Sequence, residues 1–159
     1  IDNDFRDIIK EMSFAKEIDL SVPVSMDKTL RSYQKRGYSW LKTLSNLGFG
    51  GILADDMGLG KTIQIIALLK SAKSEKKNTS IVVCPSSLYI NWEKEIEKFS
   101  PDIKTCVVFG TASKRKEINK KINNYDVIVT SYDLLKRDIE LYKNYNFNHR
   151  GRCPHRTVN

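Results

Sequence analysis

Apolar residues in the first third of the chain recur every three or four positions, which is the spacing of one face of a helix. Two such stretches, Phe5–Met12 and Leu30–Leu44, are predicted as amphipathic helices. Between them, Pro23 and the serines on either side of it predict a connector over Asp19–Lys28. The chain is therefore expected to open with helical segments that precede the first strand.

Beyond residue 50 the pattern changes to short continuous apolar runs that alternate with helical stretches. Four runs are predicted as strands: Gly50–Ala54, Ser80–Cys84, Thr105–Phe109 and Asp126–Thr130. Four stretches that follow them in turn are predicted as helices: Lys61–Lys70, Leu88–Phe99, Ser113–Ile122 and Tyr132–Tyr142. Because strands that are apolar without interruption are covered on both faces, the series predicts an α/β fold with three layers and a mainly parallel sheet.

A glycine-rich segment, Asp55–Thr62, joins the first predicted strand to the apolar helix that begins at Lys61. Glycines let backbone N–H groups surround phosphate oxygens, and a helix N-terminus adds unpaired donors and partial positive charge. The segment predicts a nucleoside triphosphate site in which Lys61 binds the β- and γ-phosphates and the Thr62 hydroxyl binds Mg²⁺. The general pattern has glycine where this chain has Asp55, so a tight turn with a chance lysine is the alternative.

The composition gives the chain a net positive charge, and the sequence has no apolar run long enough for a membrane helix. With 27 Lys and Arg against 19 Asp and Glu, the 159-residue chain carries a formal charge of +8, which suits a polyanionic partner. No run approaches the roughly 18 apolar residues that a membrane helix needs. Cys84, Cys106 and Cys153 lack metal-ligand and redox spacing, which indicates a reducing compartment; Cys84 and Cys106 are interpreted as core residues.

Four motifs follow one another between Leu30 and Asp138. They are Leu30–Gln34 with Trp40, Gly51–Gln64, Val83–Leu88 with Trp92, and Asp126–Asp133. In this order they resemble the opening of the Swi/Snf-type DNA-dependent ATPases of helicase superfamily two, and Gly48–Ala54 is similar to bacterial and archaeal members. An acidic residue replaces the first glycine of the phosphate loop in that family, so Asp55 fits it, whereas Asp56 stands where Glu is usual.

The resemblance implies an incomplete N-terminal RecA-like lobe that binds ATP. Gln34 would hydrogen-bond the adenine edge, with Arg31 and Tyr33 on the same side, and a carboxamide suits adenine because it donates and accepts at once. The other implied nucleotide-binding residues are those of the loop and helix start: Asp56, Met57, Gly58, Leu59, Gly60, Lys61 and Thr62. A solvated helix position is the alternative for Gln34 taken alone.

Two segments that follow predicted strands are candidates for contacts with the DNA backbone. They contain Pro85, Ser86, Ser87, Thr130 and Ser131. Hydroxyls and free N–H groups at a helix start bind phosphates without reading bases, although Ser87 and Ser131 are equally expected as helix caps. Trp92 is interpreted as a core aromatic residue.

A basic cluster lies in the helix predicted from Ser113 onward. It consists of Lys114, Arg115, Lys116, Lys120 and Lys121. Such a cluster could follow DNA, but a run of charge is more often a solvated face, and we prefer the solvated face here.

Three parts of the chain are predicted: a helical lead-in and connector over 1–28, the N-terminal part of the RecA-like lobe over 29–148, and a tail over 149–159. The resemblance implies a strand ending in Asp-Glu soon after Phe147, whose Asp holds Mg²⁺ and whose Glu positions the attacking water. From His149 the sequence has neither that pair nor an apolar run that could form a strand. The tail is therefore predicted to be disordered or non-native, for example out of frame.

The implied function is ATP hydrolysis coupled to movement on duplex DNA or to remodelling of protein–DNA complexes. ATP and Mg²⁺ are the implied cofactors, and double-stranded DNA and a second RecA-like lobe are the implied partners. No membrane is involved, and the implied location is the cytoplasm or nucleoid, or the nucleus in a eukaryote. The chain alone is expected to bind ATP without turning it over. The alternatives are another P-loop enzyme such as a small-molecule kinase, and a non-catalytic DNA-binding or protein-interaction module.

Overall fold

The computed structural model describes residues 21–75, 78–143, 145 and 147, together with the backbone of 150–152. The chain divides into two compact units, residues 1–68 and 69–159, which are described separately below. The helix predicted at Phe5–Met12 lies outside the described residues. Among the helices that are described, none is both long and apolar enough to cross a membrane.

Between residues 61 and 137, helices and strands appear in the order that the sequence pattern predicts. The helices are α1 (Val24–Asp27), α2 (Ser32–Asn46), α3 (Lys61–Ser74), α4 (Tyr89–Phe99), α5 (Ala112–Lys120), α6 (Tyr132–Arg137) and α7 (Ile139–Tyr142). Short 3-10 turns occupy Ser86–Leu88 and Ile122–Asn124. The strands are β1 (Ser80–Val83), β2 (Thr105–Val107), β3 (Val127–Thr130) and β4 (Arg150–Arg152).

The first unit is built on α2 and the first turns of α3. The buried face of α2 carries Tyr38 and Leu41, as the helical spacing predicts. In α3 the buried positions follow one another closely, with Ile63, Ile66 and Ala67 all covered, so this helix is enclosed on several sides. The connector predicted around Pro23 contains the four-residue helix α1, which starts directly after that proline.

The strand predicted at Gly50–Ala54 is wrong, because residues 49–56 have no regular secondary structure. A strand is stabilised by hydrogen bonds to a neighbouring strand, and no described strand pairs with this segment. Ile52 is accordingly 81% exposed. Two glycines, Gly50 and Gly51, add further backbone freedom that an unpaired strand does not offset.

The second unit contains a parallel four-stranded sheet in the order β2-β3-β1-β4. Every residue of β1 and of β3 is buried, so both faces of the central strands are covered, as the uninterrupted apolar runs predict. Register aligns Val83 with Thr130, which brings the carboxyl ends of β1 and β3 side by side. The prediction of a parallel α/β sheet is confirmed.

An apolar cluster fills the core of the second unit. Its buried members are Ile81, Val83, Val108, Ile122, Ile128, Tyr142 and Phe147. Trp92 and Ile96, one turn apart on α4, are also buried, so the interpretation of Trp92 as a core residue is confirmed. Cys84 is fully buried, whereas Cys106 is half-buried, and burial raises the pKa of the Cys106 thiol.

The single helix predicted over Tyr132–Tyr142 is wrong in one respect, because it is divided into α6 and α7 at Asp138. The backbone of Asp138 has φ −103° and ψ 14°, outside the helical values. Its carboxylate accepts two hydrogen bonds from the guanidinium of Arg115. We attribute the break to this tertiary contact, which no periodicity within the segment reveals.

The expectation that no strand forms after His149 is also wrong, because Arg150–Arg152 forms β4. It pairs in parallel with β1, with Ile81 opposite Arg150 and Val83 opposite Arg152. The hydrogen bonds of a strand pair come from the backbone, so a polar segment can occupy the edge of an apolar strand. Residues 153–159 lie outside the described residues, and a disordered or non-native tail stays a prediction.

Candidate nucleotide-binding site

The glycine-rich loop has the backbone shape that its sequence predicts. Gly58 and Gly60 have φ of +83° and +73°, a left-handed conformation that favours glycine. A Cβ atom on Gly60 would lie 2.5 Å from Nε2 of Gln34, so this position also needs the missing side chain for space. The loop is open to solvent at Met57, which is 95% exposed, and α3 starts at Lys61 directly after Gly60.

The Lys61 ammonium is held over its own loop. Its Nζ donates to the carbonyl oxygens of Asp55 at 2.7 Å and Asp56 at 2.8 Å. An ammonium group has three N–H donors, so these bonds leave one for a phosphate oxygen. Thr62, half-buried in the first turn of α3, follows it and carries the hydroxyl predicted to bind Mg²⁺.

Gln34 connects the start of α2 to the glycine-rich loop. Its Oε1 accepts from the Arg31 N–H at 2.9 Å, and its Nε2 donates to the Leu59 carbonyl at 3.1 Å. The Tyr33 hydroxyl donates to the same carbonyl at 3.2 Å. Gln34 is therefore a buried residue rather than a solvated one. Its second N–H donates to the Tyr33 hydroxyl at 3.5 Å, a long and weak hydrogen bond, and its Oε1 retains one lone pair.

The residues predicted for adenine and for phosphate thus meet at Leu59. Arg31 is exposed at the N-terminus of α2, and its backbone N–H is the group that Gln34 caps. Tyr33 is half-buried between the helix and the loop. The sequence motifs assign these residues to one site, and the hydrogen bonds to Leu59 give the physical connection that motif order alone did not predict.

Gln64 and Gly37 belong to the site although no role was predicted for them. Nε2 of Gln64 donates to Oδ2 of Asp55 at 2.9 Å, and Gln64 is fully buried. A Cβ atom on Gly37 would lie 1.9 Å from Oε1 of Gln64. The available signal was an uncharged polar residue inside the apolar helix that starts at Lys61.

The segments predicted to contact DNA lie at the carboxyl ends of neighbouring strands. Ser86 and Ser87 are exposed in the 3-10 turn after β1, whose N-cap is Pro85. The expectation that Ser87 caps a helix is wrong, because it lies within the turn and the cap residues there make no side-chain hydrogen bond. The two polar residues at the carboxyl end of β3, Thr130 and Ser131, are placed differently.

Thr130 is fully buried, and Ser131 is 7% exposed. The Ser131 hydroxyl accepts from the Leu134 N–H at 3.2 Å and caps α6, so the capping interpretation is confirmed for this residue. In this conformation the Thr130 hydroxyl is not accessible to a phosphate, because the β3 residue that carries it is covered on all sides. The accessible polar groups of the predicted DNA contacts are therefore those of Ser86 and Ser87.

The basic cluster on α5 is not uniformly solvated. Lys114, Lys116, Lys120 and Lys121 are exposed, but Arg115 is buried. The guanidinium of Arg115 donates to both carboxylate oxygens of Asp138, at 2.6 and 3.0 Å. A buried guanidinium requires such a partner because an unpaired charge is costly away from water, and helical position alone does not show which basic residue has one.

The surroundings of this ion pair also shift the ionisation of neighbouring groups. The bond to Asp138 raises the pKa of Arg115 above its ordinary value. Burial raises the pKa of Tyr142 to about 12, and the Asp138 carboxylate contributes in the same direction. Nη1 of Arg115 also donates to the Gly110 carbonyl at 2.7 Å, so the pair joins the β2–α5 loop to the α6–α7 junction.

Comparison with known proteins identifies the family. Residues 33–151 match the SNF2-related domain. The chain is 42% identical over 131 residues to the helicase SWR1 of Eremothecium gossypii, which covers 79% of this chain and 9% of that protein. The chain therefore spans about a tenth of the length of the curated relatives that it matches.

Two solved structures from Sulfolobus solfataricus show the same fold. One is a SWI2/SNF2 ATPase core in complex with dsDNA, with 43% identity, a TM-score of 0.67, and coverage of 75% of this chain and 24% of that chain. The other is a SWI2/SNF2 ATPase core domain, with 34% identity, a TM-score of 0.71, and coverage of 87% and 33%. With its parallel sheet, glycine-rich loop and motif order, the chain belongs to the SNF2-related family and has the RecA-like fold of its ATPase core.

Proposed function

We propose that the chain is the ATP-binding lobe of a DNA-dependent ATPase that moves on duplex DNA or remodels protein–DNA complexes. The observation that carries this proposal is the connection between Gln34 and the loop that precedes Lys61. Through the Leu59 carbonyl, the side chain suited to adenine and the loop suited to phosphates form one continuous arrangement. A turn that held a lysine by chance would not require an adenine-compatible carboxamide beside it.

The residues of the loop supply binding and charge. Lys61 places its ammonium next to the β- and γ-phosphates with the one donor that the Asp55 and Asp56 carbonyls leave. Thr62 offers its hydroxyl to Mg²⁺, which when bound neutralises phosphate charge. Gln34 orients the base by accepting with Oε1 and by donating to adenine the N–H that here makes the weak 3.5 Å bond to the Tyr33 hydroxyl.

Turnover requires groups that the proposal assigns to other parts of the protein. The family resemblance places the residue that positions the attacking water on the strand after Phe147, but the described strand there, Arg150–Arg152, contains no carboxylate. A second lobe would contribute the remaining charge. The chain alone is therefore proposed to bind ATP and to hydrolyse it at a negligible rate.

DNA is the proposed polyanionic partner. Ser86 and Ser87 offer exposed hydroxyls at the end of β1, and the exposed lysines of α5 contribute to the formal charge of +8. Contacts of this kind bind phosphates rather than bases, so affinity should fall with salt and depend little on DNA sequence. One solved relative is an ATPase core in complex with dsDNA, which supports the proposal.

Titration calorimetry of the chain with Mg-ATP and Mg-GTP tests the nucleotide part. We expect binding that prefers ATP, is weakened by Lys61→Ala, and loses its preference in Gln34→Ala. Equal binding of GTP would contradict the adenine assignment. Hydrolysis by the intact protein, with and without duplex DNA, tests the motor: no DNA-stimulated hydrolysis would favour a non-catalytic module, and phosphate transfer to a small molecule would favour a kinase.

A further inference from the structure

We propose that Gln64 is a positioning residue of this site, which holds the Asp55 carboxylate and thereby the backbone carbonyl that binds Lys61. The inference rests on the proposed function, because it concerns the geometry of the same loop. It also gives a physical role to the acidic residue that stands where the general phosphate loop has glycine.

The environment of Gln64 gives the first reason. Gln64 is fully buried, and its neighbours Ile63, Ile66 and Ala67 in α3 are buried apolar residues. A carboxamide enclosed in this way costs free energy unless it is hydrogen-bonded. Its Nε2 donates to Oδ2 of Asp55 at 2.9 Å, and a bond to a carboxylate is stronger than one between neutral groups. Among the described residues, Oε1 of Gln64 has no hydrogen-bond partner, so this bond alone orients the amide.

Gly37 gives the second reason. Glycine within a helix such as α2 is destabilising unless the position needs it. Here a Cβ atom would lie 1.9 Å from Oε1 of Gln64, so α2 has space for the amide only where it carries no side chain. Because the amide is rigid and planar, a methyl group that displaced Oε1 would also move Nε2 away from Asp55.

The double use of Asp55 gives the third reason. Its carboxylate accepts from Gln64, while its carbonyl accepts from Nζ of Lys61 at 2.7 Å. The two acceptors belong to one residue, so the orientation that Gln64 imposes on the side chain limits where the carbonyl can point. Gln64 therefore acts on the nucleotide through Asp55 and Lys61 and does not itself contact it.

The inference is tested in the full 159-residue chain by exchanging the donor and the acceptor of the hydrogen bond between Gln64 and Asp55. Gln64→Glu has the same shape but cannot donate, and it places two carboxylates together. We expect affinity for Mg-ATP, and for inorganic triphosphate with Mg²⁺, to fall by about tenfold, the loss of one charge-assisted hydrogen bond. In the double variant Asp55→Asn/Gln64→Glu, the new amide donates to the new carboxylate, so most of the affinity should return. Gly37→Ala should lower the affinity for Mg-ATP and for triphosphate with Mg²⁺, as Gln64→Glu does.

Thermal unfolding of each variant shows whether the chain is still folded at the temperature of the binding measurement. In a folded variant, recovery of affinity in the double variant depends on the restored hydrogen bond. If the double variant binds as weakly as Gln64→Glu, or if Gln64→Glu binds as tightly as the unsubstituted chain, the inference is overturned and the proposed function stands. Failure of the unsubstituted chain to bind Mg-ATP would overturn the proposed function, and the inference with it.

Discussion

The loop around Lys61 and the ion pair of Arg115 use charge in opposite ways. At the loop, the neutral amides of Gln34 and Gln64 hold the Leu59 carbonyl and the Asp55 carboxylate. Among the described residues, the Lys61 ammonium donates to the carbonyl oxygens of Asp55 and Asp56. In the sheet unit, the Arg115 guanidinium is neutralised within the chain by Asp138 and has little exposure. The loop thus keeps a positive charge available for a ligand, whereas the ion pair uses its positive charge for structure.

The difference teaches how a basic residue can be assigned to binding or to stability. Lys61 and Arg115 are both helix residues in a strongly basic chain, and their residue types do not separate them. Their partners do, because a carbonyl leaves the ammonium charge uncompensated while a carboxylate cancels it. Substitutions at the two places should therefore change different measured properties: ligand affinity at Lys61 and thermal stability at Arg115.

Removal of the Lys61 ammonium is expected to have the largest effect on binding. In Lys61→Ala the affinity for Mg-ATP should fall on the order of 100-fold, since about 3 kcal/mol of charged hydrogen bonding to phosphate is lost. The thermal midpoint should change little. Titration calorimetry and circular dichroism measure the two, with the exposed Lys116→Ala as the matched control. A large drop in midpoint with unchanged affinity would reverse the comparison.

Removal of the Asp138 carboxylate should have the largest effect on stability. Asp138→Ala leaves the buried Arg115 without its partner, so the thermal midpoint should fall on the order of 10 °C. Affinity for Mg-ATP, measured at a temperature where the variant is folded, should stay within about twofold. Asp133→Ala, an exposed carboxylate on α6, is the control. A midpoint equal to that of the control would show that the pair contributes no stability.

Gln34 is the residue at which the two properties should overlap. Gln34→Ala removes the bond to Leu59 and the acceptor for the Arg31 N–H, so ATP affinity should fall about tenfold and stability by about 1 kcal/mol. Gln34→Glu keeps an acceptor for Arg31 but has no N–H for Leu59. It should therefore retain only the part of the stability that the Arg31 cap supplies and lose the preference for ATP over GTP, which chemical denaturation and calorimetry measure separately. Retained preference in Gln34→Glu would contradict this assignment.

The smallest effect concerns alkaline stability near the ion pair. The pKa of Tyr142 is raised to about 12 from its ordinary value of 10, so the folded chain holds this proton more tightly than the unfolded chain. The resulting stability is fully present below pH 10 and is lost as the pH rises from 10 through about 12. Denaturant titrations across this window should show a steeper loss for the unsubstituted chain than for Tyr142→Phe. Parallel curves would show that the tyrosine does not titrate differently on folding.

Much of the fold could be predicted because local periodicity and burial agree. The β1 and β3 runs are apolar throughout and are buried throughout, and α2 and α4 bury the faces that their spacing indicates. What failed depends on distant partners. Gly50–Ala54 has strand-like residues but pairs with none of the strands that the structure describes, and Arg150–Arg152 has no apolar pattern but lies along β1.

The site shows the same division. Residue types and spacing predict the loop, Lys61 and Thr62, because phosphate binding requires glycines and a lysine at fixed offsets. The connection of Gln34 to Leu59 and the bond of Gln64 to Asp55 involve residues 25 and 9 positions apart, so no local pattern contains them. The buried state of Arg115 likewise depends on a residue 23 positions away.

The short strand β4 has a consequence for how the chain behaves in solution. It covers the edge of β1, a strand whose residues are all buried and whose backbone groups would otherwise face outward unpaired. An apolar edge of this kind is a template on which another chain can add a strand, and such addition leads to aggregates. The edge of the sheet therefore passes from the apolar β1 to β4, whose sequence is Arg-Gly-Arg, and charged residues on an edge strand oppose the addition of another chain.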